Sequence, residues 1–379
     1  MAILLTLSLA AAPARDVVAQ SAALPAAPDV TAKAVYSIDV SAGVELLAQN
    51  ADDELPPAST TKIASALVIV GAVRLDEQVT VDPLDAEIEG ESSMHLVPGD
   101  VVTVEDLLYG MMLPSGNDAA RSAARYVGSA LLAKEGGTGD PVDRFVQAMN
   151  ELATGLGLRH THFTNPAGLQ DPKHYSSAHD MAVLGGEAMT HKEIAKIVGT
   201  KEKTVVSAGP LAQSYELVNS NALLRDGYPG VHGTKTGTTP EAGACLVIAK
   251  WEHGRNRVIT VILGSRVEFD ANGVTTLDRR YDDMTAILKA LDGDYLWVDP
   301  TKSDEVPGLQ AELAAWQVGM KDDSSVVAPR RADAPLKYVL ELGPEGSGPG
   351  DVGKVLFFVG SDQIAERSVS PIDPGSGGG

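Results

Sequence analysis

One cysteine, Cys245, in 379 residues excludes an intrachain disulfide and any zinc or iron–sulfur site built from several thiolates. The compartment therefore has to be read from something other than thiol pairing. Aromatic side chains make up only 4% of the chain, and 30 Lys and Arg face 51 Asp and Glu, a formal charge of −21. Such a surface repels phosphate backbones and anionic headgroups, so nucleic acid is not an expected partner. Long apolar runs are also missing: none reaches the roughly 18 to 20 residues that a membrane-spanning helix needs. What the chain does have is 44% apolar residues, ample for a buried core, with 21% charged, the proportions of a folded soluble protein. At roughly 150 residues per domain, the length implies two or three domains.

Ala2 to Ala12 form an apolar stretch followed by small residues at Ala12-Pro13-Ala14 and Val17-Val18-Ala19. This pattern predicts an export signal within residues 1–26 and a location outside the cytoplasm, although no basic residue precedes the stretch. From Ala32, "AVYSIDV" and "GVELLAQN" alternate in polarity around a turn and predict a strand pair. A helical region follows from Ser59 to about Val198. Thr103 with Asp106, Asp140 before Pro141, and Ser177 with Asp180 mark helix starts within it. Strands return as "GACLVIAKW" and "RVITVILGS" around the turn His253–Asn256, and a last helix is predicted over Thr276 to Leu291. Sheet, helical block, sheet, helix is the order of an α/β (α+β) domain with an antiparallel sheet and an inserted helical lobe, here 27–291. Residues 292–379, with "LKYVLELG", "KVLFFVG" and the tail "PGSGGG", read as a small β-rich module.

Three short patterns carry chemistry. Ser59-Thr60-Thr61-Lys62 opens the run "IASALVIVGAV", and a first-turn spacing of three residues brings the Lys62 amine over the Ser59 hydroxyl. A nucleophile with its base would result, at a helix end whose free N–H groups favour an oxyanion. Alone, the same letters equally describe an N-cap serine and a solvated lysine. Ser115-Gly116-Asn117 lies in a tight connection between two helices, where either polar residue can instead cap the second helix. Lys235-Thr236-Gly237-Thr238 reads as a strand beside which an extended substrate can lie. Its carboxylate would meet ammonium and hydroxyl groups, although a lysine-protected edge strand has the same pattern.

In this order, with "PPASTTKIASAL", "TVEDLLYGMMLPSGNDAA", "THFTNPAGLQDPKHYSSAHDMAVL" and "GYPGVHGTKTGTTPEAGACLVIA", the sequence resembles the serine D-alanyl-D-alanine carboxypeptidases, the low-molecular-mass penicillin-binding proteins. The likeness runs from about residue 33 to 291 and implies a β-lactamase/transpeptidase-like fold. It implies Ser59 as acylated nucleophile, Lys62 as general base and Ser115 as proton relay, with Asn117 bonding the substrate backbone. Lys235, Thr236 and Thr238 would bind the terminal carboxylate, with Gly237 between them, and the N–H groups of Ser59 and Thr238 would form the oxyanion hole. Arg280, or else Arg279, falls where the family often has an arginine near that carboxylate. The implied partners are stem peptides ending in D-Ala-D-Ala and β-lactams that acylate Ser59. No cofactor or metal is implied, and the resemblance leaves open membrane attachment through a segment beyond the closing glycines. Lys62 has to lose much of its basicity to act near neutral pH, and burial together with a second cation, Lys235, would both push that way.

Two rival readings share the pocket. A class A β-lactamase typically has Ser-Asp-Asn and a deacylating glutamate, whereas this chain has Gly116 and a 160–180 segment without glutamate. A non-catalytic peptidoglycan-binding or β-lactam-sensing module would stop after one acylation. His160 and His162 carry no carboxylate-rich metal pattern, and His174, His179 and Asp180 are not needed as a triad when a lysine follows the serine by three residues. Cys245, in an apolar strand, reads as a buried inert thiol.

Overall fold

The computed structural model describes residues 24–372 apart from 87, 89, 210, 211, 253–255, 331–333 and 344–349. Most of the expected export signal, the greater part of the His253–Asn256 turn and the closing glycine-rich tail lie outside the described residues.

The first alternating runs form the antiparallel strands β1 (Ala34–Asp39) and β2 (Val44–Gln49). A single 3-10 turn, Ala58–Thr61, leads into α1 (Lys62–Ala72), so Ser59 sits in the tighter turn and the helix proper starts at Lys62. β3 (Gln78–Thr80) pairs with β4 (Val101–Thr103) and frames the connection between them. α2 (Val104–Met112) begins on a full capping box: Thr103 Oγ1 accepts from the Asp106 N–H and the Asp106 carboxylate accepts from the Thr103 N–H. Such a cap is worth about 1 kcal/mol. α3 (Asn117–Glu135) is followed by α4 (Pro141–Gly155), which Asp140 caps with a proline in the first turn, and by α5 (Ala178–Ala188), which Ser177 caps. α6 (Lys192–Val198) completes the helical lobe.

The hairpin of β5 (Glu202–Val206) and β6 (Ser214–Val218) has no counterpart in the sequence expectations. In β5 only Val205 is buried, so it carries no alternating apolar face. The short α7 (Ala222–Arg225) leads to β7 (Val231–Thr239), β8 (Gly243–Glu252) and β9 (Asn256–Ser265). These join the first two strands in one antiparallel sheet of order β2-β1-β9-β8-β7, with β7 at the edge. Alternation along β8 and β9 feeds two cores. Cys245, Val247, Ile259 and Val261 face the helical lobe, while Leu246, Ile248, Val258 and Ile262 face away from it. Both faces are buried, which is why these strands read as nearly unbroken apolar runs.

The last helix of the domain, expected over Thr276–Leu291, is corrected by the structure. Thr275–Asp278 is strand β11, paired with β10 (Val267–Phe269), and the helix α8 runs Arg280–Asp294. Two adjacent β-branched threonines favour the extended backbone there. α8 lays Met284, Ile287, Leu288 and Leu291 on the sheet and continues past residue 291. Beyond it come β12 (Tyr295–Val298), α9 (Leu309–Ala315), β13 (Val318–Met320), β14 (Val326–Pro329), β15 (Leu336–Leu342), β16 (Gly353–Val359) and β17 (Asp362–Pro371). "LKYVLELG" and "KVLFFVG" are the neighbours β15 and β16 in a sheet of order β13-β17-β16-β15, over a core of its own that includes Leu309, Val355 and Phe357. Tyr295, Trp297 and Val327 instead pack into the core beneath α8, and Trp297 Nε1 donates to Asp39 Oδ2 at 2.8 Å. Among the described residues, no helix is long and apolar enough to cross a membrane.

Candidate active site

The turn before α1 is shaped to present one hydroxyl. Ala58 has φ +48°, a left-handed conformation that costs a residue with a Cβ on the order of 1–3 kcal/mol, and Thr60 Oγ1 ties the turn by donating to Pro57 O at 2.6 Å. Ser59, which follows, lines a cavity of about 270 Å3 together with Ser115, Ser220, Thr236, Thr238 and Arg280. Lys62, Asn117 and Lys235 are buried.

Lys62 Nζ stands 3.0 Å from Ser59 Oγ, 2.7 Å from Asn117 Oδ1 and 2.9 Å from Ala167 O. Two of these neighbours are carbonyl oxygens, which can only accept. A neutral amine therefore spends its two N–H bonds on them, and its lone pair is left facing the serine. Burial lowers the Lys62 pKa from 10.5 to about 7, against the opposing pull of Glu91 and Asp118, with Arg121 adding to the drop. Of the two causes anticipated from the sequence, desolvation dominates; the cation that adds to it is Arg121 and not Lys235. The second cation is itself affected: Lys235 is held well below its usual value by burial first, then by Lys62 and Arg280.

Ser115 and Asn117 come from the break between α2 and α3. Ser115 has φ +69°, a second left-handed residue with a side chain, and Asn117 is the first residue of α3. Neither caps the helix: Gly116 occupies the cap and no side-chain bond is made. A Cβ at 116 would lie 2.7 Å from Asp118 Oδ1 and 2.9 Å from both Gly110 O and Met94 N, which explains glycine in the middle of this motif. The Asp118 carboxylate accepts from Ser93 Oγ, Met94 N and Leu96 N, and Ser92 O accepts from Asn117 N, so segment 92–96 is stitched to the start of α3.

β7 passes close to the turn that carries Ser59. A Cβ at Gly237 would stand 2.8 Å from Ser59 N, a backbone approach that only glycine permits. Thr236 Oγ1 and Ser220 Oγ are 2.6 Å apart, and Lys235 Nζ donates to Thr236 O at 2.9 Å. Arg280, first residue of α8, donates to Thr238 Oγ1 and to Gly237 O, and pairs with Asp278 at 2.7 Å. Arg279 points away and pairs with Asp282 at 3.0 Å in an exposed position. Ser92, Ser220 and Asp278 were not singled out in the sequence, because nothing local marks them; they reach the cavity only through the packing of distant segments.

The histidines take other roles. His174 Nδ1 accepts from Thr164 N at 3.1 Å, which leaves Nε2–H to donate to Thr61 Oγ1 at 2.8 Å, and burial lowers its pKa to about 4. It braces the Ser59 turn from behind. His179 faces Asp52, His160 faces Glu54, and His162 bonds Lys173 O. Cys245 is fully buried, and desolvation pushes its pKa up to about 11.

An antiparallel sheet split by a helical lobe, with a Ser-Lys pair under its edge strand, is the architecture of the active-site-serine penicillin-binding proteins. Residues 20–267 match the peptidase S11 family, D-alanyl-D-alanine carboxypeptidase, and the chain belongs to that family. It is 35% identical over 250 residues to D-alanyl-D-alanine carboxypeptidase DacF of Bacillus subtilis, covering 65% of this chain and 60% of that protein. It is equally 35% identical over 248 residues to the D-alanyl-D-alanine carboxypeptidase of Streptomyces sp. K15, covering 63% of this chain and 83% of the relative. Escherichia coli DacC is matched over 58% of its length, so the chain spans under two thirds of the longer relatives. The crystal structure of the Streptomyces K15 DD-transpeptidase superposes with a TM-score of 0.62 at 32% identity, covering 71% of this chain and all of that one.

Proposed function

We propose that the protein is a serine D,D-carboxypeptidase that removes the terminal D-alanine from peptidoglycan stem peptides outside the cytoplasm, and that β-lactams acylate the same serine. The observation that carries this reading is the 3.0 Å contact of Lys62 Nζ with Ser59 Oγ, the amine's two other partners being carbonyl oxygens. In the reaction, Ser59 Oγ attacks the carbonyl carbon of the penultimate D-alanine as its proton passes to Lys62 Nζ. The N–H groups of Ser59 and Thr238 hold the oxyanion. Collapse breaks the C–N bond, the departing amine takes the proton from Lys62 with Ser115 as relay, and terminal D-alanine leaves. Water then cleaves the acyl ester, its oxygen joining the carbonyl and a proton returning to Ser59 Oγ. Asn117 aligns the substrate backbone, and Arg280, Thr236, Thr238 and Lys235 receive the terminal carboxylate. Incubation with a peptide ending in D-Ala-D-Ala tests the reading: many equivalents of D-alanine are expected, and one or none would return the protein to the class of sensors.

The segment that lies against Lys62 offers it the carbonyl of Ala167, while Pro166 O accepts from Ser65. Among the described residues, no carboxylate of this segment bonds Lys62 or Ser59 to activate a hydrolytic water, so a penicilloyl ester should persist for many times the lifetime of the peptide acyl-enzyme. This disfavours the β-lactamase reading.

Replacing Arg280 with leucine removes a guanidinium that spans Asp278, Gly237 O and Thr238. Efficiency toward a peptide acid should drop about tenfold to a hundredfold, as for loss of a charge-assisted bond of roughly 1.5–3 kcal/mol. The corresponding amide should change little, and an equal loss on both would show that Arg280 only supports the fold. The C-terminal module is proposed to be dispensable for chemistry. Phe357→Ala empties its core at a cost of about 3–5 kcal/mol and should lower its unfolding temperature while penicillin labelling of Ser59 stays intact.

A further inference from the structure

Asn117 has two chemically different ends, and the reading of Lys62 as the base depends on which of them faces the amine. Carbonyl inward leaves the lone pair of Lys62 for Ser59. Amide nitrogen inward would place an N–H donor against that lone pair and take it out of use. Nothing in Asn117 itself decides between the two orientations.

The other end of the amide settles it. Asn117 Nδ2 donates to Glu91 Oε2 at 3.0 Å, and a carboxylate can only accept. The same oxygen receives Arg121 NH1 at 2.6 Å, and Arg121 NH2 donates to Ala86 O at 2.9 Å. The pair is largely buried, with side-chain exposures of 15% for Arg121 and 19% for Glu91. Arg121 lies one helical turn after Asn117 on α3, so the clamp and its target share a rigid element. Glu91 in turn precedes segment 92–96, which the Asp118 carboxylate pins to the same helix end. We infer that Glu91 is a positioning residue: held by Arg121, it fixes the Asn117 carboxamide with its oxygen toward Lys62 and so aims the base at Ser59. The inference deepens the proposed function and rests on its assignment of Ser59 and Lys62.

The charge of Glu91 has a second effect. Lys62 is faced by Glu91, by Asp118 and Arg121 of α3, by Ala167 O, and by Lys235 of β7. Of these, the carboxylates support its protonated form and the cations oppose it. Removing only the charge at 91 should therefore move the acid limb of acylation to lower pH.

The experiment compares Glu91→Gln with Glu91→Leu by stopped-flow acylation with a fluorescent penicillin between pH 5 and 9, with the adduct located by mass spectrometry. The glutamine oxygen can still accept from both Asn117 and Arg121. Its plateau rate should stay within about threefold of the parent, with the acid limb displaced to lower pH. Leucine offers no acceptor, and the plateau should fall about 10- to 100-fold and not recover at high pH, while saturation half-points stay unchanged. A Glu91→Leu protein with the parent's plateau and acid limb overturns the inference, as does a glutamine variant as slow as the leucine one. Should Glu91→Leu unfold, Glu91→Ala removes the acceptor without bulk and carries the same expectations. An adduct on a serine other than Ser59 in the unmutated protein would defeat the functional reading first, so the two failures are distinguishable.

Discussion

Ser59→Ala leaves a folded protein that forms no covalent adduct with penicillin and releases no D-alanine. Among the described residues, Ser59 is the hydroxyl bonded to the buried amine, at 3.0 Å. Ser92, Ser115 and Ser220 share the cavity, but Ser220 is occupied with Thr236, and none of the three bonds Lys62. No second nucleophile stands ready, so turnover should drop by about 10^4- to 10^6-fold, the scale seen when a covalent nucleophile is removed. Among the described residues the Ser59 hydroxyl bonds only Lys62, so the thermal midpoint should move by no more than a degree or two. Intact-protein mass spectrometry after penicillin treatment decides the matter, and an adduct retained on another serine would refute the assignment.

Lys62→Met should slow acylation by about 10^2- to 10^4-fold, the range for loss of a positioned general base. Methionine keeps most of the volume, although Asn117 Oδ1 and Ala167 O lose a donor. The pH profile gives the sharper test. Only the neutral amine can take the serine proton, and its pKa is lowered to about 7. In the unmutated protein, acylation should be flat above that value and fall about tenfold for each pH unit below it, to about one hundredth at pH 5. The variant should lose that acid limb altogether. Retention of the same limb in a folded Lys62→Met protein would mean that another group titrates.

Much of this geometry was legible from spacing. The spacing of three from Ser59 to Lys62 amounts to one helical turn, and the turn survives even though its first part is 3-10. The strands β8 and β9 announced themselves because both faces are buried, and the three capping pairs were readable because capping is local. The β5–β6 hairpin was not, since β5 is exposed apart from Val205 and the alternation of β6 spans only five residues, nor was strand β11, which took the first turn expected of α8. Glu91 was invisible for a different reason. Its role depends on Arg121 and Asn117 meeting it across segment 92–96, a closure organised by Asp118, and no sequence interval encodes that meeting. The depressed Lys62 pKa was foreseen in sign but not in its causes: burial dominates, with the Arg121 guanidinium in place of the Lys235 ammonium, and depth is a property of the packed molecule.

The solitary thiol has a practical corollary. Cys245 is inaccessible, and a pKa of about 11 keeps it protonated under ordinary conditions, so maleimide and iodoacetamide reagents should pass it by. Any cysteine placed on the rim of the cleft would then be the sole reactive handle, allowing a dye or spin label to follow ligand entry in the otherwise unaltered enzyme.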